Sequence, residues 1–192
     1  MEENMERINA VTFAPFCARG TFEKEETRQS LKLMKEKTGA NYVIFAPNGV
    51  QKTAFSETID YRTKRNVSDE ELTAMIAYAK QLGLKVALKP TANCEDGTWR
   101  AHINFFDEDV VCEPKWSNWF ASYRAFQEHY AGLAQQCGVD LFIAGCEMVQ
   151  TERREAEWRE VIAAIRRKYD GLVSYNTDKY QEHNVKWWDA VD

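Results

Sequence analysis

Val86-Ala87-Leu88-Lys89-Pro90 is an apolar strand that ends at a proline, and segments of the same kind occur at residues 11–15, 43–47 and 141–145. The first three in chain order end in proline, which has no N–H for a sheet ladder and is typical of the point where a strand stops. The segments between them have helical apolar spacing, so the pattern predicts a β/α repeat with a parallel sheet. The chemistry of such folds lies at the carboxyl ends of the strands. Glu147, just after the fourth segment, is therefore the first candidate for a catalytic residue.

Local helix signals occupy the segments between the predicted strands. Ser68 is followed three residues later by Glu71, which predicts a capping box at the start of the second helix. The first helix is expected to bury Leu31, Leu33 and Met34. The predicted strands span residues 8–16, 41–46, 84–88, 139–144 and 172–176, and the predicted helices residues 24–38, 69–82, 117–136 and 155–169.

The predicted elements indicate an α/β fold of the (β/α)8 TIM-barrel type. A closed barrel of this type has eight strands and typically about 250 residues, whereas the chain has 192. We therefore expect residues 1–192 to form a single partial barrel domain, truncated after about five β/α units. A fifth helix is expected to begin in the tail that carries Trp187-Trp188. Two open sheet edges predict self-association.

Composition and charge exclude several classes of function. The net charge of −5, without a basic stripe, excludes a general nucleic-acid binder. Residues 1–7 are polar and acidic and no apolar stretch is long enough to cross a bilayer, so we expect a cytoplasmic protein that does not bind membranes. The five cysteines include no C-x-x-C pair, which predicts reduced thiols. We expect no metal and no cofactor, since the sequence lacks a phosphate-binding glycine loop and metal-ligand spacing.

Polar and aromatic residues near the other predicted strand ends are candidates for substrate binding. Lys89 ends the third strand and either contacts substrate or pairs with the acid after the fourth strand. Asn48 and Asn176 carry amides that suit hydroxyl-rich ligands, although turn residues are often asparagine as well. Trp99 and His102 lie in the long loop over residues 91–116 and are expected to line the same cleft.

Two interpretations of Glu147 remain open from its position alone. A carboxylic acid at a strand end, partly screened from water, can transfer a proton near neutral pH. Alternatively, Glu147 caps the next helix or pairs with Arg153 or Arg154.

Several segments occur in an order and spacing that resemble one known group: residues 84–90, Trp99, Ile103, and residues 116–126, 142–148 and 157–169. The group is glycoside hydrolase family 113, whose known members are chiefly β-mannanases with a TIM barrel. The similarity spans nearly the whole chain and corresponds to the first five-eighths of that barrel.

The resemblance implies a retaining glycoside hydrolase with two glutamates that acts on β-1,4-mannosidic or related β-hexosyl linkages. Glu147 matches the position of its acid/base, at the end of strand four. The nucleophile is expected near the end of a seventh strand that this chain lacks, with Asp96, Glu113 and Asp178 as alternatives, so we expect the chain itself to be inactive. Cys146 stands where the wider clan places an asparagine that reaches the sugar 2-hydroxyl, and it is expected at that subsite.

Two other functions are kept as alternatives. One is a non-catalytic carbohydrate-binding barrel, which keeps an oligosaccharide or polysaccharide partner but lacks the nucleophile. The other is an unrelated β/α enzyme in which Lys89 forms a Schiff base with a small carbonyl compound.

Overall fold

The computed structural model describes residues 7–106 and 115–192 of the protein. In these residues seven strands form two parallel sheets, one of five strands and one of two. The strands are β1 (Ala10–Thr12), β2 (Tyr42–Phe45), β3 (Asn48–Gln51), β4 (Lys85–Leu88), β5 (Thr91–Cys94), β6 (Leu141–Cys146) and β7 (Leu172–Asn176).

Four α-helices and three single 3-10 turns complete the described elements. None of the helices in this part of the chain has both the length and the apolar character needed to cross a membrane. The helices are α1 (Glu25–Thr38), α2 (Asp69–Gln81), α3 (Lys115–Cys137) and α4 (Glu155–Arg166), and the 3-10 turns are Arg100–His102, Glu182–Asn184 and Trp188–Ala190.

The five-stranded sheet has the order β1-β2-β4-β6-β7, and every pair in it is parallel. A helix connects each strand of this sheet to the next, as parallel pairing requires. All five carboxyl ends therefore lie along one edge, where the chemistry of such sheets is found. The described strands β1 and β7 do not pair with each other, so the sheet is an open arc. The predicted α/β class is confirmed, with five parallel strands and the four helices that connect them in the described part of the chain.

A second sheet replaces the start of two predicted loops. Strands β3 and β5 pair in parallel directly after Pro47 and Pro90, where we had expected the strands to stop. At these prolines the hydrogen-bond ladder between the two chain segments is interrupted but does not end. The Thr91 N–H donates to the Pro47 carbonyl at 3.0 Å, and the pairing continues from there. Prolines remove one donor each but leave their carbonyls free to accept, so pairing resumes one residue later. The extra strands extend the carboxyl edge of the sheet.

The first two helices agree with their sequence signals except at one residue. Ser68 and Glu71 form the predicted capping box, with bonds of 2.8 and 3.2 Å between their side chains and backbone N–H groups. Leu31 is buried, but Leu33 is 49% exposed, and its expected burial is wrong. Two residues rotate a helix by about 200°, which places Leu33 on the face opposite Leu31. The other Glu71 oxygen accepts the Gly20 N–H at 2.7 Å and ties the loop after β1 to α2.

Aromatic side chains of α3 and α4 fill the space between these helices and the sheet. Trp119 and Tyr123 stack with ring centroids 4.9 Å apart, and Trp158 packs edge-on against Tyr123 at 5.4 Å. The buried Tyr123 hydroxyl donates to the Ala144 carbonyl of β6 at 2.8 Å. Since a buried hydroxyl needs a partner, this bond fixes α3 against the strand that leads to Glu147.

The tail after β7 contains two 3-10 turns and not the predicted fifth helix. Trp187 is buried and stacks on Trp158 at 4.8 Å with an interplanar angle of 9°, so aromatic packing and not a helical period decides its path. Farther along, Asp192 donates its N–H to the Val173 carbonyl and accepts the Val173 N–H, both at 2.9 Å. These two bonds occupy part of the outer edge of β7.

Gly145 of β6 lies where a side chain has no room. A Cβ at this position would come within 2.5 Å of the Tyr123 hydroxyl and 3.0 Å of the Tyr175 ring. We expect Gly145→Ala to lower the free energy of unfolding by about 1–3 kcal/mol through overpacking, measured by urea denaturation.

Gly132→Ala is the matched control for this change. Gly132 lies inside α3 with no neighbouring atom within 4 Å of its added Cβ, so alanine there should be neutral or stabilising. Equal losses of stability in both variants, or no loss in Gly145→Ala, would contradict the close packing behind β6.

Candidate active site

Glu147 follows β6 at a point where the register between β6 and β7 shifts, between Ile143 and Cys146. Its φ of 54° is left-handed, which is uncommon for a residue other than glycine. The Glu147 N–H donates to the Asn176 carbonyl at the end of β7 at 2.8 Å. Irregularities of this kind re-aim a side chain at a strand end. The Glu147 side chain is 29% exposed and reaches the open carboxyl edge of the sheet.

Arg100 is the ion-pair partner of Glu147. Its Nη2 lies 2.7 Å from Oε2 of Glu147, while Nε donates to the Cys146 carbonyl and Nη1 to Oδ1 of Asn93, both at 2.9 Å. The guanidinium carbon lies 5.7 Å from the ring centroid of Phe16. With only 13% of its side chain exposed, Arg100 needs these acceptors, because a buried cation without partners is costly.

The arginines that we had considered as partners of Glu147 have other contacts. Arg154 pairs with Glu157, and both Arg153 and Arg154 lie over the Trp116 ring, with guanidinium carbons 5.2 and 5.0 Å from its centroid. The alternative in which Glu147 pairs with one of them is therefore wrong, since its partner is Arg100. The two arginines are close to Glu147 in sequence, but the chain between β6 and α4 places both of them next to Trp116 at the start of α3.

Trp99 and His102 lie beside the acid. The Trp99 indole Nε1–H donates to Oε2 of Glu147 at 3.2 Å, and the indole is 43% exposed. His102 is exposed and packs edge-on against Trp99, with ring centroids 5.8 Å apart. The structure thus brings Trp99 into contact with Glu147, and His102 joins the group through Trp99.

Cys146, Asn176 and Lys89 form a polar group on the β7 side of the acid. The Asn176 Oδ1 accepts from the Lys89 ammonium at 3.3 Å and from the Cys146 thiol at 3.6 Å. Of the two alternatives for Lys89, the ion pair with Glu147 does not form, because the described partner of its amine is this amide. Cys146 is only 4% exposed and its sulfur also lies 3.6 Å from Nη2 of Arg100.

Asn48 does not bond to Glu147 itself and belongs to the hydrogen-bond network behind Arg100. It is buried, its N–H donates to Oδ1 of Asn66, and its own Oδ1 accepts from Nδ2 of Asn93, both at 2.7 Å. The other end of the Asn93 amide accepts from Arg100. Asn48 therefore reaches the acid only through Asn93 and Arg100.

Three residues of this network were missed by sequence reasoning: Arg100, Asn93 and Phe16. Asn93 lies in β5, a strand that was predicted as loop, so its position at the sheet edge could not be recognised. Arg100 and Phe16 lie outside the strands of the central sheet, where no periodicity predicts a direction for a side chain. Their adjacency to Trp99 and to the first strand end was the only available signal.

Of the acids named as alternatives for a second carboxylate, neither Asp96 nor Asp178 bonds to the Glu147 network in the described part of the chain. Oδ1 of Asp96 accepts the Thr98 N–H at 2.9 Å within a turn, and Asp178 lies in the tail after β7. Glu113 lies outside the described residues. Across residues 7–106 and 115–192, no group of three His, Cys, Asp or Glu side chains is placed to hold a metal ion.

Glu152 is a buried carboxyl that the sequence did not reveal. Its Oε1 accepts from the Tyr175 hydroxyl at 2.6 Å and from the Thr177 hydroxyl at 2.9 Å, while its buried Oε2 has no hydrogen-bond partner in the described part of the chain. Burial raises the pKa of the Glu152 carboxyl above its usual 4.5, although the two hydroxyl donors oppose that shift.

Comparisons with known proteins agree on one family. The profile of Glycoside Hydrolase Family 113 matches residues 11–192. A solved GH113 β-1,4-mannanase is 54% identical, with a TM-score of 0.94, and the match covers 98% of this chain and 61% of that one. The GH113 β-mannanase AaManA from Alicyclobacillus acidocaldarius, solved in complex with ManMIm, is 41% identical, with a TM-score of 0.90 and coverage of 98% and 60%.

A more distant structure supports the fold alone. The Pseudomonas stutzeri endoglucanase Cel5A is 15% identical with a TM-score of 0.53, over 90% of this chain and 52% of that one. A comparison with curated protein sequences gave no match. The chain spans about three-fifths of the length of the two mannanase structures. The predicted TIM-barrel type and the resemblance to family 113 are confirmed.

The raised pKa of Glu152 predicts how stability depends on pH. Because the folded-state pKa lies above the unfolded value, the folded protein favours the neutral carboxyl, so this stabilisation is full below pH 4.5 and is lost as pH rises through the folded-state pKa. We expect Glu152→Gln, which keeps an acceptor for Tyr175, to raise the free energy of unfolding relative to wild type at neutral pH but not below pH 4.5.

Urea denaturation across this pH range measures the effect. Glu160→Gln, on the exposed face of α4, is the control and should leave the shape of the stability profile unchanged. A Glu152→Gln profile parallel to that of the wild type would show that the buried carboxyl carries no charge penalty.

Proposed function

The chain belongs to glycoside hydrolase family 113, and on this basis we propose that the protein hydrolyses β-1,4-mannosidic or related β-hexosyl linkages with retention of configuration. Two β-mannanases of this family share its fold at 54% and 41% identity, which supports the substrate class. The observation that carries the proposal is the placement of Glu147. Its carboxyl is open to solvent at a strand end and is held by Arg100 and Trp99, as a proton-transferring group must be.

Glu147 acts as the general acid and then as the general base. In the first step its carboxyl protonates the leaving glycosidic oxygen while a second carboxylate attacks the anomeric carbon. In the second step the Glu147 carboxylate takes a proton from water, and the water oxygen displaces the enzyme carboxylate from the sugar. The same side chain must therefore give up and regain one proton in each cycle.

The surroundings of Glu147 suit a sugar ring. The exposed Trp99 indole offers an apolar face on which the C–H groups of a hexose can stack, with His102 at its edge. Lys89 and Asn176 supply an ammonium and an amide on the β7 side. We place Cys146 next to the sugar 2-hydroxyl position, where the neighbouring amide of Asn176 is a stronger hydrogen-bonding group than the thiol.

The second carboxylate decides between an enzyme and a binding protein. Retention requires two carboxyl groups about 5–5.5 Å apart, and in the described residues Glu147 is the only carboxyl that bonds to Arg100, whose other partners are a backbone carbonyl, an amide and a thiol. We therefore expect the chain by itself to bind mannooligosaccharides and to hydrolyse them very slowly or not at all. This observation favours a non-catalytic carbohydrate-binding protein as the second candidate. A cytoplasmic location stays a prediction.

Glu147→Gln tests the assignment of the acid/base. The amide keeps the shape and the acceptor oxygen but cannot donate a transferable proton, so the slow hydrolysis of mannohexaose by the wild-type chain, where it is measurable, should fall by about 10²–10⁴-fold. Binding, measured by isothermal titration, should persist. Release of reducing ends measures turnover.

Glu160→Gln is the control for this experiment, since Glu160 pairs with Arg124 on the outer helices. Unchanged hydrolysis in Glu147→Gln would remove this residue from the reaction. Wild-type chain that binds mannohexaose without releasing reducing ends would support the carbohydrate-binding alternative.

We also propose that copies of the chain associate through the open strand edges. Leu172 is exposed on the edge strand β7, and among the described residues the tail bonds to this strand at Val173 alone. We expect a mass above that of the monomer by light scattering at high concentration, and Leu172→Lys should lower it, because a lysine on an edge discourages strand pairing. Leu33→Lys, on the exposed face of α1, is the control. A monomer at every concentration would contradict this proposal.

A further inference from the structure

We propose that the two oxygens of the Glu147 carboxyl have separate tasks, with Oε2 as the anchored oxygen and Oε1 as the oxygen that carries the transferred proton. Arg100 is then a positioning residue, which acts on the reaction through Glu147, and Trp99 adds a second anchor besides the face that it offers to the sugar. This inference rests on the proposed function of Glu147 as acid/base and adds which of its atoms reacts.

The two partners of Oε2 are the first step of the argument. Oε2 accepts from Nη2 of Arg100 at 2.7 Å and from Nε1 of Trp99 at 3.2 Å. A guanidinium and an indole can only donate hydrogen bonds. A proton on Oε2 would therefore face two donors and no acceptor, so the neutral carboxyl places its proton on Oε1.

The surroundings of Oε1 are the second step. Among the described residues no side chain or backbone group bonds to Oε1, and the Glu147 side chain is 29% exposed. Oε1 is thus the carboxyl oxygen that a glycosidic oxygen or a water can approach. The anchored oxygen and the accessible oxygen are different atoms of one rigid, planar group.

The third step is that Arg100 stays in place when Glu147 changes its charge. Its Nε and Nη1 bond to the Cys146 carbonyl and to the Asn93 amide, and neither acceptor takes part in proton transfer. The Asn93 amide is held in turn by Asn48. Three directional bonds from one planar fork need an arginine, because a lysine ammonium cannot span the same acceptors.

The backbone holds Glu147 from the other side. Its N–H bonds to the Asn176 carbonyl at 2.8 Å, in the left-handed conformation noted above. With backbone and Oε2 both fixed, the carboxyl plane has one orientation, and Oε1 meets the substrate without a search over rotamers. Misplacing a reacting group by about 1 Å can cost about a hundredfold in rate, which is why the anchors matter for the chemical step.

The first test reads the geometry without turnover. In a ¹H–¹⁵N spectrum of the labelled chain, the Trp99 indole N–H signal is the one lost in Trp99→Phe. We expect Glu147→Ala and Arg100→Gln each to shift this signal, and Arg124→Gln, which breaks a matched ion pair on the outer helices, to leave it in place. If the chemical shift of the Trp99 indole N–H is unchanged in both Glu147→Ala and Arg100→Gln, the inference is overturned.

The second test reads the chemistry with two substrates. Mannotetraose has a poor leaving group that needs protonation, whereas a dinitrophenyl β-mannobioside leaves without it. We expect Arg100→Gln to lower kcat/KM for mannotetraose by about ten- to a hundredfold and to lower kcat/KM for the dinitrophenyl substrate much less. A purely structural role would lower kcat/KM equally for both substrates, and that result would overturn the inference.

The two tests separate this inference from the proposed function. If the wild-type chain hydrolyses neither substrate, as we expect of a chain without the second carboxylate, the indole signal alone decides whether Oε2 is anchored. If the wild type is active but Glu147→Gln is equally active, the assignment of the acid/base fails first. In either case the Arg124→Gln control reports any general effect of removing an arginine.

Discussion

The buried guanidinium of Arg100 is the interaction on which the carboxyl edge of the sheet depends. It lies almost out of contact with water, so it requires acceptors in several directions, and it finds them in the Cys146 carbonyl, the Asn93 amide and the Glu147 carboxylate. The Asn93 amide lies on β5, whereas the Cys146 carbonyl and the Glu147 carboxylate stand at the end of β6. The Phe16 ring after β1 covers the guanidinium. One loop side chain thus fixes how the strand ends stand relative to one another.

The aromatic core between the helices and the sheet also determines the position of Glu147. Gly145 lets the Tyr123 hydroxyl approach β6 and bond to the Ala144 carbonyl, and the register then shifts before Glu147. The shift and the left-handed conformation turn the carboxyl toward the open edge. A catalytic proton donor must be exposed to substrate and yet have one orientation. The packed core supplies the orientation, and the sheet edge supplies the exposure.

Secondary structure was predictable where its cause is local. The capping box at Ser68 and Glu71 forms as expected, because both partners lie within one turn of helix. Leu33 was assigned to the wrong face although helical geometry alone should have excluded it. Strand β3 and the path of the tail were missed for another reason. The first depends on pairing with β5 and the second on Trp187 packing against α4, and both partners are distant in sequence.

In the candidate site, too, some features were predictable from the sequence and others depend on contacts between distant residues. By itself the sequence determined the repeat of strands and helices, the family, and the strand end at which Glu147 stands, since these depend on residue order and periodicity. Only the tertiary structure decided that Arg100, and not Arg153 or Arg154, pairs with Glu147, and that Lys89 bonds to Asn176. The physical reason is that a side chain chooses its partner by distance and by the donors and acceptors that burial leaves unsatisfied. Both are set by loops whose course no local pattern encodes.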